Sequence, residues 1–510
     1  MTRALMIQGT GSGAGKSLMV TALCRIFSDM GVDVAPFKSQ NMALNSYITI
    51  EGGEIGRAQA LQAEAARLEA VNDMNPILLK VSGEKGSQVI IHGRPHSHMK
   101  AVEYYAFKET AWKAVRESYD RLASGHDLIV IEGAGSPAEI NLTDVEIVNM
   151  SVAKYAGAPV ILVGDIDRGG VFASLFGTVK LLGRESRFIK GYIVNKFRGD
   201  ISILEPGLEM IREKTGRPVI GVLPYIPETG LPEEDGMVLQ QRPVAGNRKS
   251  EYGTIKVVIV RLKYISNFTD YDPLACEPDV ELLYSINPVE IENADFVIIP
   301  GSKNTMEDLN FLRELSLDES VRRAHAKGIP VMGMCGGYQI LGKKIYDPQY
   351  VEGGYVEVDG IGLLDIETVF NETKTTCRVE AEVVQGGMFG DFSLPLKGYE
   401  IHMGESRGAV GLFRMQRLNG FARSTGPDAL NLETMDGSMN GNCWGTYIHG
   451  IFENDAFRRK ILNSIRAGRG LPAIGVLRSY SEIKDNAIDN LARIVKKNID
   501  MDYLRRLVKI

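Results

Sequence analysis

Cysteine is scarce in this chain: five residues, at 24, 276, 335, 377 and 443, scattered and odd in number. There is no CxxC pair and no Cys/His spacing of the kind that holds a metal. That pattern excludes a disulfide-stapled scaffold and a structural zinc site, and it fits reduced thiols in a cytoplasm. Long apolar runs are missing too. None approaches the roughly 18 residues that a membrane helix needs. The first apolar run, Ala4-Leu5-Met6-Ile7, turns into glycines. It is too short for a signal-peptide core and lacks a cleavage site, so the expectation is a cytoplasmic protein with no membrane partner. A basic excess is also lacking. The net charge of −6 argues against a general nucleic-acid binder, which needs a basic face, but leaves room for a local pocket that takes an anion. The chain has no internal repeat and no low-complexity tract.

What is present is length. One hydrophobic core rarely grows past about 250–300 residues, so 510 residues imply two domains. The first half alternates short apolar runs with helical stretches. Strands are expected at Ala4–Gln8, Asp127–Glu132, Pro159–Val163, Gly191–Asn195 and Pro218–Val222. Between them, Ser17–Met30 carries Leu23, Ile26, Phe27 and Met30 at helical spacing, with Gly31 as its C-cap. Apolar strands alternating with helices imply a parallel sheet covered on both faces. Residues 236–253 are polar, with Gly, Pro and clustered charge, and read as a linker. A second α/β series begins at Lys256–Leu262 and adds strands at Phe296–Pro300 and Pro330–Met332. Residues 351–410 look antiparallel. The last 50 residues look helical, with Ile488, Leu491 and Val495 on one face. The expected division is 1–235, a linker at 236–253, 254–460, and a helical extension at 461–510.

Residues 9–17 read GTGSGAGKS, directly after a strand and directly before a helix. Glycines let backbone N–H groups turn inward around phosphate oxygens, and the helix N-terminus adds partial positive charge. Gly9, Thr10, Gly13 and Gly15 belong to this loop. Lys16 suits the β- and γ-phosphates of ATP, and Ser17 suits Mg²⁺. In the strict pattern the first glycine falls where Thr10 stands, and Gly9 lies one residue earlier. The loop is a variant, similar to that of dethiobiotin synthetase. Mg²⁺ needs further oxygen ligands. Glu132, at the C-terminal end of a strand and followed by Gly133-Ala134-Gly135, is the first choice. Glu54 and Asp165 are weaker ones. Asn195 and Lys196, at another strand end, are placed to read adenine.

Residues 329–342 read IPVMGMCGGYQILG, a short strand, a glycine-flanked cysteine and a helix. This is a nucleophile elbow with Cys335 in the serine position. A sulfur at a helix N-terminus is favoured as thiolate. The Gly336 N–H suits an oxyanion hole, with a second donor from Gly301-Ser302. The elbow cysteine needs a base, and His449 in GTYIHG (445–450) is preferred over His402 in GYEIHMG (398–404).

These residues resemble the class I glutamine amidotransferases, in which a Cys-His pair hydrolyses glutamine. Most of that class carry His-x-Glu, whereas Gly450-Ile451 follows His449 here, so the usual orienting glutamate is missing. The same departure occurs in the cobyric acid and cobyrinic acid diamide synthases. Over nearly its full length the chain resembles the cobyric acid synthase family. The stretches that carry this are PFKSQNMALNS (36–46), GEIGRAQ (53–59), IEGAGSPAEINL (131–142), GDIDRGG (164–170), NKFRGD (195–200), LPEED (231–235), SNFTDYDPL (266–274), PGSKNT (300–305) and IHGIFEND (448–455). PFKSQNM and DIDRGGVFA set it apart from the a,c-diamide synthases.

The resemblance implies a dethiobiotin synthetase-like P-loop domain fused to a class I amidotransferase α/β domain. It implies four amidations of adenosylcobyrinic acid a,c-diamide, each consuming ATP and glutamine, with Mg²⁺ and no tightly bound organic cofactor. Lys38, Gln40 and Asn41 in the family-specific loop are the expected corrinoid contacts, and Arg168 is expected to meet either a phosphate or a substrate carboxylate. Two rivals stand beside this reading. One is another ATP-dependent amidase built from the same parts. The other is a partitioning-ATPase-type nucleotide switch whose second domain only binds. An intact elbow at Cys335 argues against the switch.

Overall fold

The computed structural model describes residues 3–81, 86–227, 229–232, 253–352, 354–384, 386, 394–421, 433–475 and 478–510. The linker expected at 236–253, Gly253 apart, lies outside them, as does the end of LPEED. The first half is built on a six-stranded, all-parallel sheet. Its strands run, in spatial order, Val219–Pro224, Ile189–Phe197, Val160–Asp165, Arg3–Gly9, Leu128–Glu132 and Val34–Phe37. The central strands are apolar along their length because helices bury both faces. The helix Lys16–Asp29 covers one face through Met19, Val20, Leu23 and Ile26, and Gly31 follows its end with φ 80°. A smaller sheet of Gln40–Met42, Ile77–Val81, Ser87–Ile91 and Arg94–Met99 stands beside this layer, and sequence reading did not find it.

The second half has its own sheet, ordered Val280–Ser285, Ile255–Val260, Phe296–Ile299, Val331–Met334, Cys443–Thr446 and Ser438–Asn440. All its pairs are parallel except the last. The antiparallel region expected at 351–410 holds an 18-residue strand, Ile366–Val383, paired with Leu396–Gly408 and Phe413–Phe421.

The expected break at 460 falls inside a helix. Asp455–Gly468 is continuous, and its Phe457, Ile461, Leu462 and Ile465 are buried in the core of the second half. The helices Tyr480–Asn498 and Met501–Val508 instead return to the first half. Ile488, Leu491 and Val495 share a core with the helix Lys16–Asp29, and the buried Arg25 is paired with Asp485 and Asp489. Residues 461–510 are therefore split between the two cores, because the apolar stripe of the last long helix needs a partner that lies at the start of the chain.

Candidate active site

The phosphate loop leaves the C-terminal edge of the central strand, where an open parallel sheet places its ligands. Gly13 and Gly15 sit at φ 71° and 99°, the left-handed region that lets the loop curl. Lys16 Nζ donates to the carbonyls of Gly11 (2.9 Å) and Gly135 (3.1 Å), which holds its ammonium over the loop. Ser17 Oγ donates to Glu132 Oε1 at 2.8 Å. Glu132 is buried and also accepts from Lys38 Nζ (2.8 Å) and Gln62 Nε2 (2.6 Å). Burial opposes its charge, but the Lys38 ammonium and these hydrogen bonds outweigh that and hold the carboxyl below the usual range. An ionised carboxylate beside a loop hydroxyl is a donor set that suits Mg²⁺, which takes one or two carboxylates and completes its shell with phosphate and water. No cluster of three or more His, Cys, Asp or Glu that could hold a metal by itself occurs among the described residues.

Three sequence expectations change here. Glu54 is fully buried between Lys80 (2.7 Å) and Lys374, at the seam between the two halves, and is no metal ligand. Two ammonium groups within bonding distance neutralise it and exclude a cation. Lys38 and Asn41 are buried and bonded to Glu132 and to Gln59 Oε1 (2.9 Å), so they organise the phosphate site instead of facing a substrate. Asn195 and Lys196 hold the loop backbone. Asn195 Nδ2 donates to the Ala14 carbonyl (2.9 Å), and Lys196 Nζ donates to the Gly13 carbonyl (2.8 Å) and to Asp165 (2.8 Å). Arg168 is exposed near Asp165 and Gly13, on the nucleotide side. Gln40 is half-buried and accepts from Tyr104 Oη at 2.6 Å.

In the second half, Cys335 follows the strand Val331–Met334 and caps the helix Gly336–Leu341. Its φ of 50° and ψ of −107° are strained for a side-chain-bearing residue, as an elbow requires. A Cβ at Gly336 would lie 2.8 Å from the Ser302 amide nitrogen. Only glycine lets the 301–302 loop approach this closely, and it brings the Ser302 and Gly336 amides together beside the sulfur. Ser302 Oγ donates to Asp308 (2.5 Å), which also accepts from the Lys263 and Tyr264 amides and so fixes the loop.

His449 is 1% exposed, and its Nδ1 bonds Asp270 Oδ2 at 2.7 Å. Asp270 Oδ1 accepts from the Gly450 amide at 2.9 Å, so both oxygens fix the histidine segment. Nε2 makes no hydrogen bond of full geometry among the described residues, but the Cys335 side chain is near enough to help hold the charged ring. Burial opposes that charge, yet the Asp270 carboxylate, with Cys335, outweighs it and raises the imidazole to about 10. Tyr399 stacks on the ring, centroids 5.4 Å apart. His402, in GYEIHMG, has its two nitrogens on Gly404 O (2.7 Å) and Glu400 (3.2 Å).

Asp270 is the residue that sequence reading missed. It lies in SNFTDYDPL, one of the stretches that carry the resemblance, where no local pattern marks it. Reciprocal bonds tie this stretch to the first half: Asn45 Oδ1 accepts from the Phe268 amide and Asn267 Oδ1 from the Ser46 amide, both 3.0 Å. The cavity at Cys335, about 60 Å³, is walled by Ser302, Lys303, Glu352 and His402, and also by Lys80 and His98 of the first half.

Two family models match the chain. The CobQ/CobB/MinD/ParA nucleotide binding domain matches residues 5–239, and the CobB/CobQ-like glutamine amidotransferase domain matches 256–457. A cobyric acid synthase of Thermodesulfovibrio yellowstonii is 48% identical, over 98% of this chain and 98% of its own. One of Thermoanaerobacter sp. is 49% identical over 100% and 99%. One of Syntrophobacter fumaroxidans is 45% identical over 99% and 98%.

Proposed function

The chain belongs to the cobyric acid synthase family, and from that premise we propose that it amidates four peripheral carboxylates (b, d, e and g) of adenosylcobyrinic acid a,c-diamide, using ATP and glutamine each time. A carboxylate resists ammonia because it is anionic and has no good leaving group. Transfer of the γ-phosphoryl group to one of its oxygens, with ADP leaving, gives an acyl phosphate that has one. Lys16 and the loop amides stabilise the charge that develops on the transferring group. Ser17 and Glu132 would hold Mg²⁺, which supplies charge neutralisation at the phosphates. No helix among the described residues is long and apolar enough to cross a membrane.

Ammonia must arrive unprotonated, and the second half makes it. The Cys335 sulfur attacks the glutamine amide carbon. The oxyanion is met by the Ser302 and Gly336 amides, and ammonia leaves with a proton from His449 Nε2. Water then attacks the thioester, His449 takes its proton, and glutamate leaves. Asp270 keeps Nδ1 protonated and Nε2 directed at the sulfur, the work that a glutamate two residues after the histidine does in most of the class. Lys303 and Glu352 both line the cavity; burial lowers the Lys303 ammonium to about 7 and raises the Glu352 carboxyl to about 8, and the carboxylate and ammonium of a bound free amino acid would favour their charged forms.

The contact between Asp270 and His449 beside the elbow cysteine carries this reading, since a domain kept only for binding has no use for an oriented base. Mass spectrometry of the corrinoid after incubation with ATP and glutamine tests it. Four successive losses of about one mass unit each, as hydroxyl becomes amine, are expected from the phosphoryl-activation chemistry. No change would overturn it. A Cys335→Ala chain should lose glutamine-dependent amidation and keep the ammonium-dependent reaction at high pH.

A further inference from the structure

The first half contains a cavity of about 750 Å³ that no step above uses. We propose that this cavity binds the corrinoid macrocycle, with the carboxylate to be amidated presented at its Gly135 edge; the proposal rests on the function given above. Three features of the cavity argue for it.

The first is position. Gly135 lines the cavity, and its carbonyl is held by Lys16 Nζ. An occupant therefore abuts the reactive end of a nucleotide on the phosphate loop, which is where a phosphoryl acceptor must be. The second is chemistry. The wall is mostly apolar, and Met42 and Leu181 on it stay 60% and 55% exposed. Large apolar side chains left open within a concavity mark a ligand surface. Lys108 and Lys154 stand on the same wall, Lys154 paired with Glu185 at 2.6 Å, and supply cations for peripheral carboxylates. The third is size. The volume lies in the roughly 300–1,000 Å³ range of sites for large organic ligands. A polar acceptor of amino-acid size would leave most of it empty, whereas a broad ring with apolar faces and a carboxylate rim matches both wall and cations.

The small sheet beside the phosphate site gives the cavity a second meaning. Side chains alternate across a strand. On Ile77–Val81, Leu79 and Val81 face the large cavity, while Lys80 lines the cavity at Cys335. On Ser87–Ile91, Val89 faces the large cavity, while Gln88 meets Lys303 and Lys374 on the other side. One two-strand wall thus separates the acceptor cavity from the ammonia source.

Equilibrium dialysis with adenosylcobyrinic acid a,c-diamide, followed by its visible absorbance, tests the assignment on the full chain. Met42→Glu and Leu181→Glu each put an anion into the cavity from an exposed position, against the carboxylates of the ligand. The Kd should rise at least tenfold in both, and binding to Met210→Glu, exposed on the helix Ile201–Thr215 away from the cavity, should match the wild type. Thermal unfolding checks that each variant is folded. Wild-type affinity in both cavity variants would overturn the site and leave the function standing. A wild-type chain that neither binds nor amidates the corrinoid would overturn both.

Discussion

Asp270 and His449 lie 179 residues apart in the chain and share a 2.7 Å contact between two buried side chains. The carboxylate comes from a short 3-10 turn, Phe268–Tyr271, that the first half holds through Asn45 and Ser46. His449, the proposed base, is therefore oriented by a segment whose own position depends on the other half. Asp270→Asn keeps the shape but removes the charge and the preference for one tautomer. Glutamine-dependent amidation should fall by roughly 10²–10⁴-fold in kcat, by analogy with removal of the third member of a triad. The ammonium-dependent rate should fall far less. Steady-state kinetics with each nitrogen source measures both.

The raised His449 also predicts a pH dependence of stability. Its ordinary value is 6.5, and in the folded chain it is held at about 10. Between these values the folded state binds a proton that the unfolded state does not, so stability falls as pH rises. The contribution is complete below about 6.5 and lost through about 10. Urea unfolding across that window should show a steeper decline for the wild type than for His449→Gln. Parallel curves would contradict the assignment.

Lys38 sits 2.8 Å from Glu132 and, after burial, is the largest influence on that carboxyl. Lys38→Met should raise the Glu132 pKa and disfavour the ionised form that a cation needs. Groups that support a metal ligand typically contribute ~10–100-fold in affinity. The Mg²⁺ concentration for half-maximal ATP hydrolysis should rise by about that factor, more at pH 6 than at pH 8. A magnesium titration at the two pH values reads it.

Glu54 lies between Lys80 of its own half and Lys374 of the other, all three buried. Glu54→Gln leaves two ammonium groups facing each other without their anion. Breaking a buried ion pair in this way destabilises by roughly 3–5 kcal/mol. The loss should fall on the contact between the halves. Denaturant unfolding is expected to shift to lower concentration and to separate into two transitions.

Much of this chemistry was legible in the order of residues because it is local. The elbow at Cys335 and the loop ending in Lys16-Ser17 are each a strand, a turn and a helix within about 15 residues of chain. Glycine spacing, apolar runs and helical periodicity determine them without reference to the rest of the molecule. The parallel sheets followed for the same reason, since buried strands announce themselves as unbroken apolar runs. Glu132 stood out by its place at a strand end, and the structure puts it 2.8 Å from Ser17 Oγ.

Only the tertiary structure could decide what depends on closure of distant segments. Nothing in SNFTDYDPL marks Asp270 as the partner of His449, because an acidic residue in a polar turn looks the same whether solvated or buried against an imidazole. Glu54 looked like a metal ligand until Lys374, 320 residues away, met it. Lys38 and Asn41 looked like substrate contacts until folding turned them onto Glu132 and Gln59. The large cavity is formed by side chains drawn from six separate stretches between Gln40 and Glu185, none of which shows a concavity by itself. Local patterns determine elements. The pairing of charges across elements is settled by desolvation, which forces each buried ion to find its counterion wherever packing has placed one.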